Sequence, residues 1–446
     1  MSSSLFFDVE QDRIINWRSN SGGIAAVVGP PGCGKTTVGA ALAVKLIAEQ
    51  RANRVLMVAY TNAAANEFCW ELYKILGPDA IRNLCLRTGN LSGVDDPLLP
   101  VPFSTQSDVI KSKKIIVCTT LSLKRLSYFI KFDNIIIDEA GIEKLEHLLS
   151  PFYYGINQLS SSIQYNEERA RQINSLMDLI NQCGIVSTVV GDPKQSRPIG
   201  ISSKDPSAIE WVIKGAPSDT LRITHRLPDK LSGLVNEFAS YDGLRSAIDI
   251  ASRRLTLHQI PDIGYREVIN PQESITWVDI CGEESTMGFS SWANEIEAKA
   301  CARLCKHLDI VTRNKTIVVV TRYTGQKTLI ANYLRPFGLT DRIKVTTTTG
   351  ALGTQADIVI FSLARNNQEK NVGAAGNLQD VNVAISRSRE KLIILGNFDT
   401  MLNGWSTSPS NNGLKHGFKS PSRILARLVD KRYGEVIDAP KILTAS

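Results

Sequence analysis

The chain has 446 residues, 43% of them hydrophobic, enough for two or three domains of about 100 to 200 residues, each with its own core. No run approaches the roughly 18 uncharged apolar residues of a membrane helix, and Met1-Ser2-Ser3-Ser4 is not followed by a basic and then a long apolar segment, so a soluble, non-secreted protein is expected, cytoplasmic or alternatively nuclear, with no membrane partner. The formal charge of +7 is spread along the chain and suits a polyanionic partner without specifying one.

The eight cysteines are scattered through strand-like and helix-like stretches, which points to a reducing compartment. Cys301, Cys305 and His307 cluster, but no second ligand pair stands at finger-like spacing. Most of the cysteines read as buried thiols, and the cluster does not read as a zinc site.

In chain order, Phe6 to Trp17 reads as a short amphipathic segment carrying Gln11. An amide both donates and accepts, so Gln11 suits an adenine edge; a solvated glutamine on a helix face is the alternative. An apolar strand, Ile24 to Val28, runs into Gly29-Pro30-Pro31-Gly32-Cys33-Gly34-Lys35-Thr36-Thr37 and then a small-residue helical pattern from Val38 to Ile47. Strand, glycine turn and helix make a phosphate cradle. Backbone N–H groups face anionic oxygens, the Lys35 ammonium reaches the β/γ-phosphates, and the Thr36 hydroxyl ligates Mg²⁺.

A second buried strand, Arg54 to Tyr60, feeds the polar, alanine-rich helix start Thr61 to Glu67, repeating the alternation of a parallel α/β sheet. Gly89 to Asp108 reads as an irregular loop, and Lys113 to Cys118 as a strand ending in Thr119-Thr120. Asn134 to Ala140 delivers Asp138 and Glu139 at the carboxyl end of a strand, the edge where ligands lie in open α/β sheets. There Asp138 holds Mg²⁺ and Glu139 orients and deprotonates the attacking water. Pro151 to Asn181 reads as an excursion, and 151–181 as an insertion. The sheet resumes at Ile185 to Val190 and breaks at Gly191 to Pro198, where Gln195 places an amide near the γ-phosphate.

The second half begins near Asp219. It alternates strands (Thr316 to Val320, Ile358 to Leu363, Lys391 to Leu395) with helical stretches (Asn294 to Leu308, Thr328 to Leu334) and has no second cradle. If it closes over the first half, Arg226 and Arg387 become candidates for stabilising charge on the transferred phosphoryl group, a task for a permanently charged, fork-shaped donor. The division expected is 1–218, 219–435 and a tail at 436–446.

Together these segments resemble the superfamily 1 helicases, in the branch of the nonsense-mediated-decay RNA helicase and the nidovirus replicative helicases. Gln11 matches the adenine-reading glutamine, Gly29 to Thr37 motif I, Tyr60 to Glu67 motif Ia, Val117 to Thr120 motif Ic, Asp138-Glu139-Ala140 motif II and Gly191 to Pro198 motif III. Arg226 sits where this branch places an arginine after motif III, Gln326 falls in motif IV, Thr346 to Asp357 resembles motif V, and Val381 to Arg389 resembles motif VI with Arg387 as its finger.

The resemblance implies an α/β fold of two tandem RecA-like domains with parallel sheets, and ATP with Mg²⁺ as cofactors. It further implies movement along single-stranded nucleic acid, RNA somewhat favoured over DNA and in the 5′ to 3′ direction, with duplex unwinding. Strand contacts are expected from the loops of motifs Ia, Ic, IV and V, with Thr61, Asn62, Thr119, Thr120, Thr348 and Thr349 as candidates, because hydroxyls, amides and N–H groups hold phosphates without reading sequence.

Three departures stand out. Leu352 and Gln355 occupy places the branch usually gives to a glutamine and a glutamate, and Ile142 replaces a glutamine after motif II. Gln355 can still hydrogen-bond a nucleotide's ribose or phosphate side. The chain reads as a motor core, either small by nature or part of a longer polyprotein or multidomain protein with protein partners. The rival readings are a translocase that remodels protein–RNA complexes without unwinding and a nucleotide-regulated scaffold.

Overall fold

The structure, a computed structural model, describes residues 7–90, 98–126, 130–152, 175–182, 184–195, 197, 205–287, 291–406 and 420–444. Most of 151–181, and Ser196 and Pro198 of the loop that follows the strand Val186–Gly191, lie outside the described residues. The chain divides into two compact units: Met1–Pro193 with Arg197–Arg222, and Ile223–Ser446 with the short segment Lys194–Ser196.

In the first unit, β1 (Ile24–Val28), β2 (Val55–Ala59), β3 (Cys85–Arg87), β4 (Ile115–Thr119), β5 (Asn134–Asp138), β6 (Val186–Gly191) and β7 (Ser218–Thr220) form one sheet in the order β3-β4-β2-β5-β6-β1-β7. Every pairing is parallel. Unbroken apolar runs such as Val55–Ala59, buried at each position, are what a parallel sheet covered on both faces requires. Leu56, Val58, Ile116, Ile135 and Ile137 belong to one core cluster.

Three helices frame the carboxyl edge of this sheet. α1 (Val9–Ser19) starts in a capping box between Asp8 and Gln11, which satisfies two of the first-turn donors. α2 (Lys35–Ala48) begins after Gly34 at φ 75°. Its Gly39 lets it lie close on its neighbours: a Cβ there would stand 3.0 Å from Phe68 Cε1 and 3.2 Å from Ile136 Cγ2. α3 (Asn62–Leu84) is capped by the Thr61 hydroxyl, which accepts from the Ala64 N–H, and is interrupted at Gly77, φ 75°, before Pro78, where no helical hydrogen bond can continue.

The second unit opens with a two-residue parallel pair, β8 (Ile223–Thr224) and β9 (Arg245–Ser246). β10 (Ile275–Asp279) belongs to a six-stranded sheet, and β11 (Glu284–Met287) and β12 (Ser291–Asn294) make an antiparallel pair. β13 (Ile317–Thr321), β14 (Lys344–Thr347), β15 (Ala356–Ser362), β16 (Ser388–Gly396) and β17 (Glu435–Asp438) complete that sheet in the order β14-β13-β15-β16-β10-β17, all parallel. Part of the stretch set apart above as a tail joins this fold: β17 pairs with β10, and a last helical turn covers Lys441–Thr444. Both units therefore have the parallel α/β, RecA-like build expected from the sequence. Among the described residues, no helix is long and apolar enough to cross a membrane.

Candidate nucleotide site and strand interface

Register brings the singled-out loops of the first unit to one edge. Val28, at the end of β1, lies level with Gly191 of β6, and Ala59 of β2 lies level with Thr119 on one side and Asp138 on the other. The loop after β1 is shaped by Gly32 and Gly34, at φ 76° and 75°, a region open to glycine at no steric cost. The Lys35 ammonium folds back onto this loop, donating to the Gly29 carbonyl at 2.6 Å and the Pro30 carbonyl at 3.1 Å. Gln11 reaches the same loop: its amide donates to the Cys33 carbonyl at 3.3 Å and accepts from the Asp8 N–H at 3.2 Å. It braces the cradle while closing the cap of α1. The Cys33 thiol is fully buried, and burial raises its pKa far above the ordinary value, so it stays a neutral, unreactive thiol.

The Thr36 hydroxyl donates to Asp138 Oδ2 at 2.7 Å, joining the cradle to the acidic strand end. Asp138 is buried, and desolvation raises its carboxyl pKa against the opposing pull of the Thr36 hydroxyl, the Glu139 N–H and the Lys35 charge. A hydroxyl beside one desolvated carboxylate is a hard-oxygen pair of the kind Mg²⁺ takes together with phosphate oxygens and water. Glu139 follows at φ 58°, a left-handed conformation that costs a non-glycine residue on the order of 1 kcal/mol or more. Its N–H donates to Asp138 Oδ1 at 2.7 Å, its Oε2 accepts from the Thr61 hydroxyl at 3.0 Å, and its carbonyl accepts from the Ile142 N–H at 3.0 Å. The loop after β6 presses on this acidic loop through two glycines. A Cβ on Gly141 would stand 2.5 Å from the Asp192 carbonyl oxygen, and one on Gly191 would stand 3.0 Å from the Gly141 nitrogen.

The second unit gathers the remaining candidates. Arg387, buried after the helix Leu378–Ile385, donates to Gln195 Oε1 at 3.0 Å and to the Val383 carbonyl at 2.9 Å. Arg226 donates to Gln355 Oε1 at 3.1 Å and to the Ser386 carbonyl at 3.2 Å, and Arg389 reaches the same Gln355 oxygen at 3.4 Å. An amide with one acceptor oxygen thus serves two guanidinium groups without neutralising either.

For the strand candidates the structure separates exposed from inward-facing side chains. Asn62 and Thr349 are exposed. Thr119, Thr120 and Thr348 are buried, with their hydroxyls engaged by neighbouring side chains. Thr119 pairs with the Ser122 hydroxyl at 2.8 Å, Thr120 donates to Glu143, and Thr348 donates to Asp380 at 3.3 Å. Thr61, half-buried, is engaged with Glu139 as described. Gln326 is likewise interior, accepting from the Asn294 N–H at 2.8 Å and donating to the Ser362 hydroxyl at 3.0 Å.

Sequence reasoning missed the polar residues behind these candidates. Glu71 accepts from the Thr37 hydroxyl at 2.9 Å, Glu143 holds Thr120, Asp380 accepts from Thr348 and pairs with Arg322 at 2.7 Å, and Arg87 donates to Asn62 Oδ1 at 2.8 Å. The one signal available was a charge closing a short apolar run, as in Cys85-Leu86-Arg87. Glu143 is buried with its pKa raised by desolvation, partly offset by Thr120 and His147.

A glycine cradle, a buried acid joined to it by a hydroxyl and parallel α/β units define a P-loop nucleotide-binding protein. Two families, each described as an AAA domain, match residues 7–101 and 206–399. A regulator of nonsense transcripts 1 homolog from Arabidopsis thaliana is 24% identical over 454 residues, covering 89% of this chain and 33% of that protein. The ATP-dependent helicase NAM7 of Saccharomyces cerevisiae is 22% identical over 423 residues, covering 84% of this chain and 40% of that one. An arterivirus nonstructural protein 10 (helicase) structure overlaps 86% of this chain and 61% of its own at 14% identity and a TM-score of 0.44. Over most of its own length the chain is similar to these proteins, an ATP-dependent helicase among them. It spans about a third to two fifths of the length of these curated relatives.

Proposed function

We propose that this chain is an ATP-dependent helicase core, acting in the cytoplasm, that hydrolyses ATP with Mg²⁺, moves along single-stranded nucleic acid 5′ to 3′, RNA in preference to DNA, and separates duplexes. The observation that carries the reading is the chain of contacts from Thr36 to Asp138 to Glu139 to Thr61. It ties the phosphate cradle, the acidic strand end and the start of α3 into one bonded unit.

The loop N–H groups and Lys35 bind the phosphates, with Gly29, Pro30, Pro31, Gly32, Cys33, Gly34, Thr36 and Thr37 as the cradle and Gln11 at the adenine. Thr36 and Asp138 hold Mg²⁺, which supplies charge neutralisation on the phosphates when bound. Glu139 takes the proton of the attacking water, its carboxylate aimed by Thr61. Gln195, Arg226 and Arg387 stabilise the charge that develops on the transferred group, and Gln355 sets Arg226. The Asn62 amide and the exposed loop at Thr349 hold the strand backbone, with Thr61, Thr119, Thr120 and Thr348 shaping the loops that present it.

The test is ATP turnover with and without matched RNA and DNA single strands, followed by strand separation on forks with a 5′ or a 3′ single-stranded arm. Strand-stimulated turnover and separation of the 5′-armed RNA fork are expected. Movement along a strand without separation would reject the helicase assignment in favour of a remodelling translocase, and turnover indifferent to any strand would reject both.

A further inference from the structure

Arg87 is the last residue of β3, level with Val117 of β4, and its side chain is fully buried. Its guanidinium meets neutral oxygens: Asn62 Oδ1 at 2.8 Å, Asn66 Oδ1 at 3.5 Å, the Val117 carbonyl at 3.5 Å and the Thr88 carbonyl. Among the described residues no carboxylate pairs with it. A buried cation without an anion is costly, and its hydrogen bonds offset that cost only in part. Arg18 shows the same burial in a purely interior setting, its donors ending on Thr188 and Ser21 hydroxyls and the Gly23 and Ser187 carbonyls. Arg87 differs in that its best-placed partner is an exposed side chain.

That partner is fixed in orientation by chemistry. An asparagine amide has an acceptor on one side of its terminal carbon and two donors on the other. With Oδ1 held by Arg87, the Asn62 N–H₂ group points away from the guanidinium; the reverse rotamer would set donors against donors. Asn62 is also the first residue of α3, where the helix dipole is positive, and the buried Arg87 charge lies behind it. An exposed, donor-only group in a locally positive setting recognises an anionic or acceptor oxygen.

We propose that Arg87 is a positioning residue for strand binding: it grips the Asn62 carbonyl and presents the Asn62 N–H₂ as a fixed donor to a phosphate or sugar oxygen of single-stranded nucleic acid. This rests on the strand-binding reading above. Arg87 does not touch the strand; its guanidinium is occupied from within.

The experiment is equilibrium binding of a fluorescein-labelled oligouridylate to the full chain across a salt series, with thermal unfolding as the check on folding. Asn62→Ala is expected to weaken binding roughly tenfold, the loss of one donor to a charged acceptor. Arg87→Gln is expected to weaken binding by a similar factor in the native background and not at all in the Asn62→Ala background, because its effect passes through Asn62. The slope of log affinity against log salt stays unchanged in Arg87→Gln, whereas a direct phosphate contact would lower it by about 0.7. A lowered slope, or an equal loss in both backgrounds, overturns the proposal. Should Arg87→Gln fail to fold, Asn62→Asp decides. It keeps a partner for Arg87 and replaces the outward donor by an acceptor, so native-like binding by that variant overturns the proposal, and a tenfold or greater loss with native thermal stability supports it. Failure of the unaltered chain to bind the oligouridylate or the matching oligodeoxynucleotide refutes the strand-binding reading itself.

Discussion

Replacing Thr36 by valine removes one oxygen at nearly constant volume and probes the joint between cradle and acid. Asp138 is buried and accepts from two donors, the Thr36 hydroxyl at 2.7 Å and the Glu139 N–H at 2.7 Å. A hydrogen bond to a charged group contributes about 1.5 to 3 kcal/mol, so Thr36→Val should destabilise the ionised form of Asp138 by about that amount. Because burial raises the Asp138 pKa in the folded state, the native protein holds this proton more tightly than the unfolded chain. Ionisation therefore costs stability as pH rises from the ordinary aspartate range through the folded pKa, and the Thr36 hydroxyl offsets part of that cost. The stability gap between Thr36→Val and the native chain should be full at neutral pH and close as acid protonates Asp138. Thermal unfolding as a function of pH measures it, beside Mg²⁺-dependent ATP turnover, which should fall roughly tenfold to a hundredfold or more by the same energy. Thr36→Ser should retain most of both. A gap that does not change with pH, together with native turnover in Thr36→Val, would refute the coupling of cradle to acid.

Glu139→Gln should bind ATP with near-native affinity while losing turnover, checked by nucleotide titration beside phosphate release; native turnover would remove Glu139 from its role as base. Arg387→Ala should lower turnover far more than ATP affinity, since its charge is needed where negative charge develops, and equal losses would make it a ground-state contact. In the second unit, burial pushes the Glu297 carboxyl up to about 7 despite hydrogen bonds from the Ser362 hydroxyl and the Ala364 N–H. A raised carboxyl pKa means stability lost as pH rises between about 4.5 and 7, and Glu297→Gln should flatten the unfolding profile in that window. Lys391, whose pKa burial lowers to about 7, acts above it and in the opposite direction, with stability rising as pH rises.

Most of the long parallel strands were legible because each carries an apolar run of at least three residues, as in Ile135-Ile136-Ile137. Short or mixed strands were not. Glu435–Asp438 has half-buried and exposed positions and becomes a strand through pairing with β10. The cradle and its acid could be read because their chemistry is carried by residues at fixed spacing. Their supports could not: Glu71, Glu143, Arg87 and Asp380 act across tertiary contacts, and a single charge in a sequence reads as a solvated one. Nor does a threonine announce which way its hydroxyl faces, which is why Thr120 and Thr348 read like Thr349 until burial distinguished them.

The glycine-to-glycine seam between the acidic loop and the loop after β6 has a mechanical consequence. With backbone against backbone at Gly141, Asp192 and Gly191, no side chain is left between them to absorb motion by changing rotamer. The two loops therefore meet through main chain alone at these positions, with no room for a Cβ at Gly141. A single methyl group at Gly141 would act as a shim, holding the loops apart and introducing slack where the native joint has none.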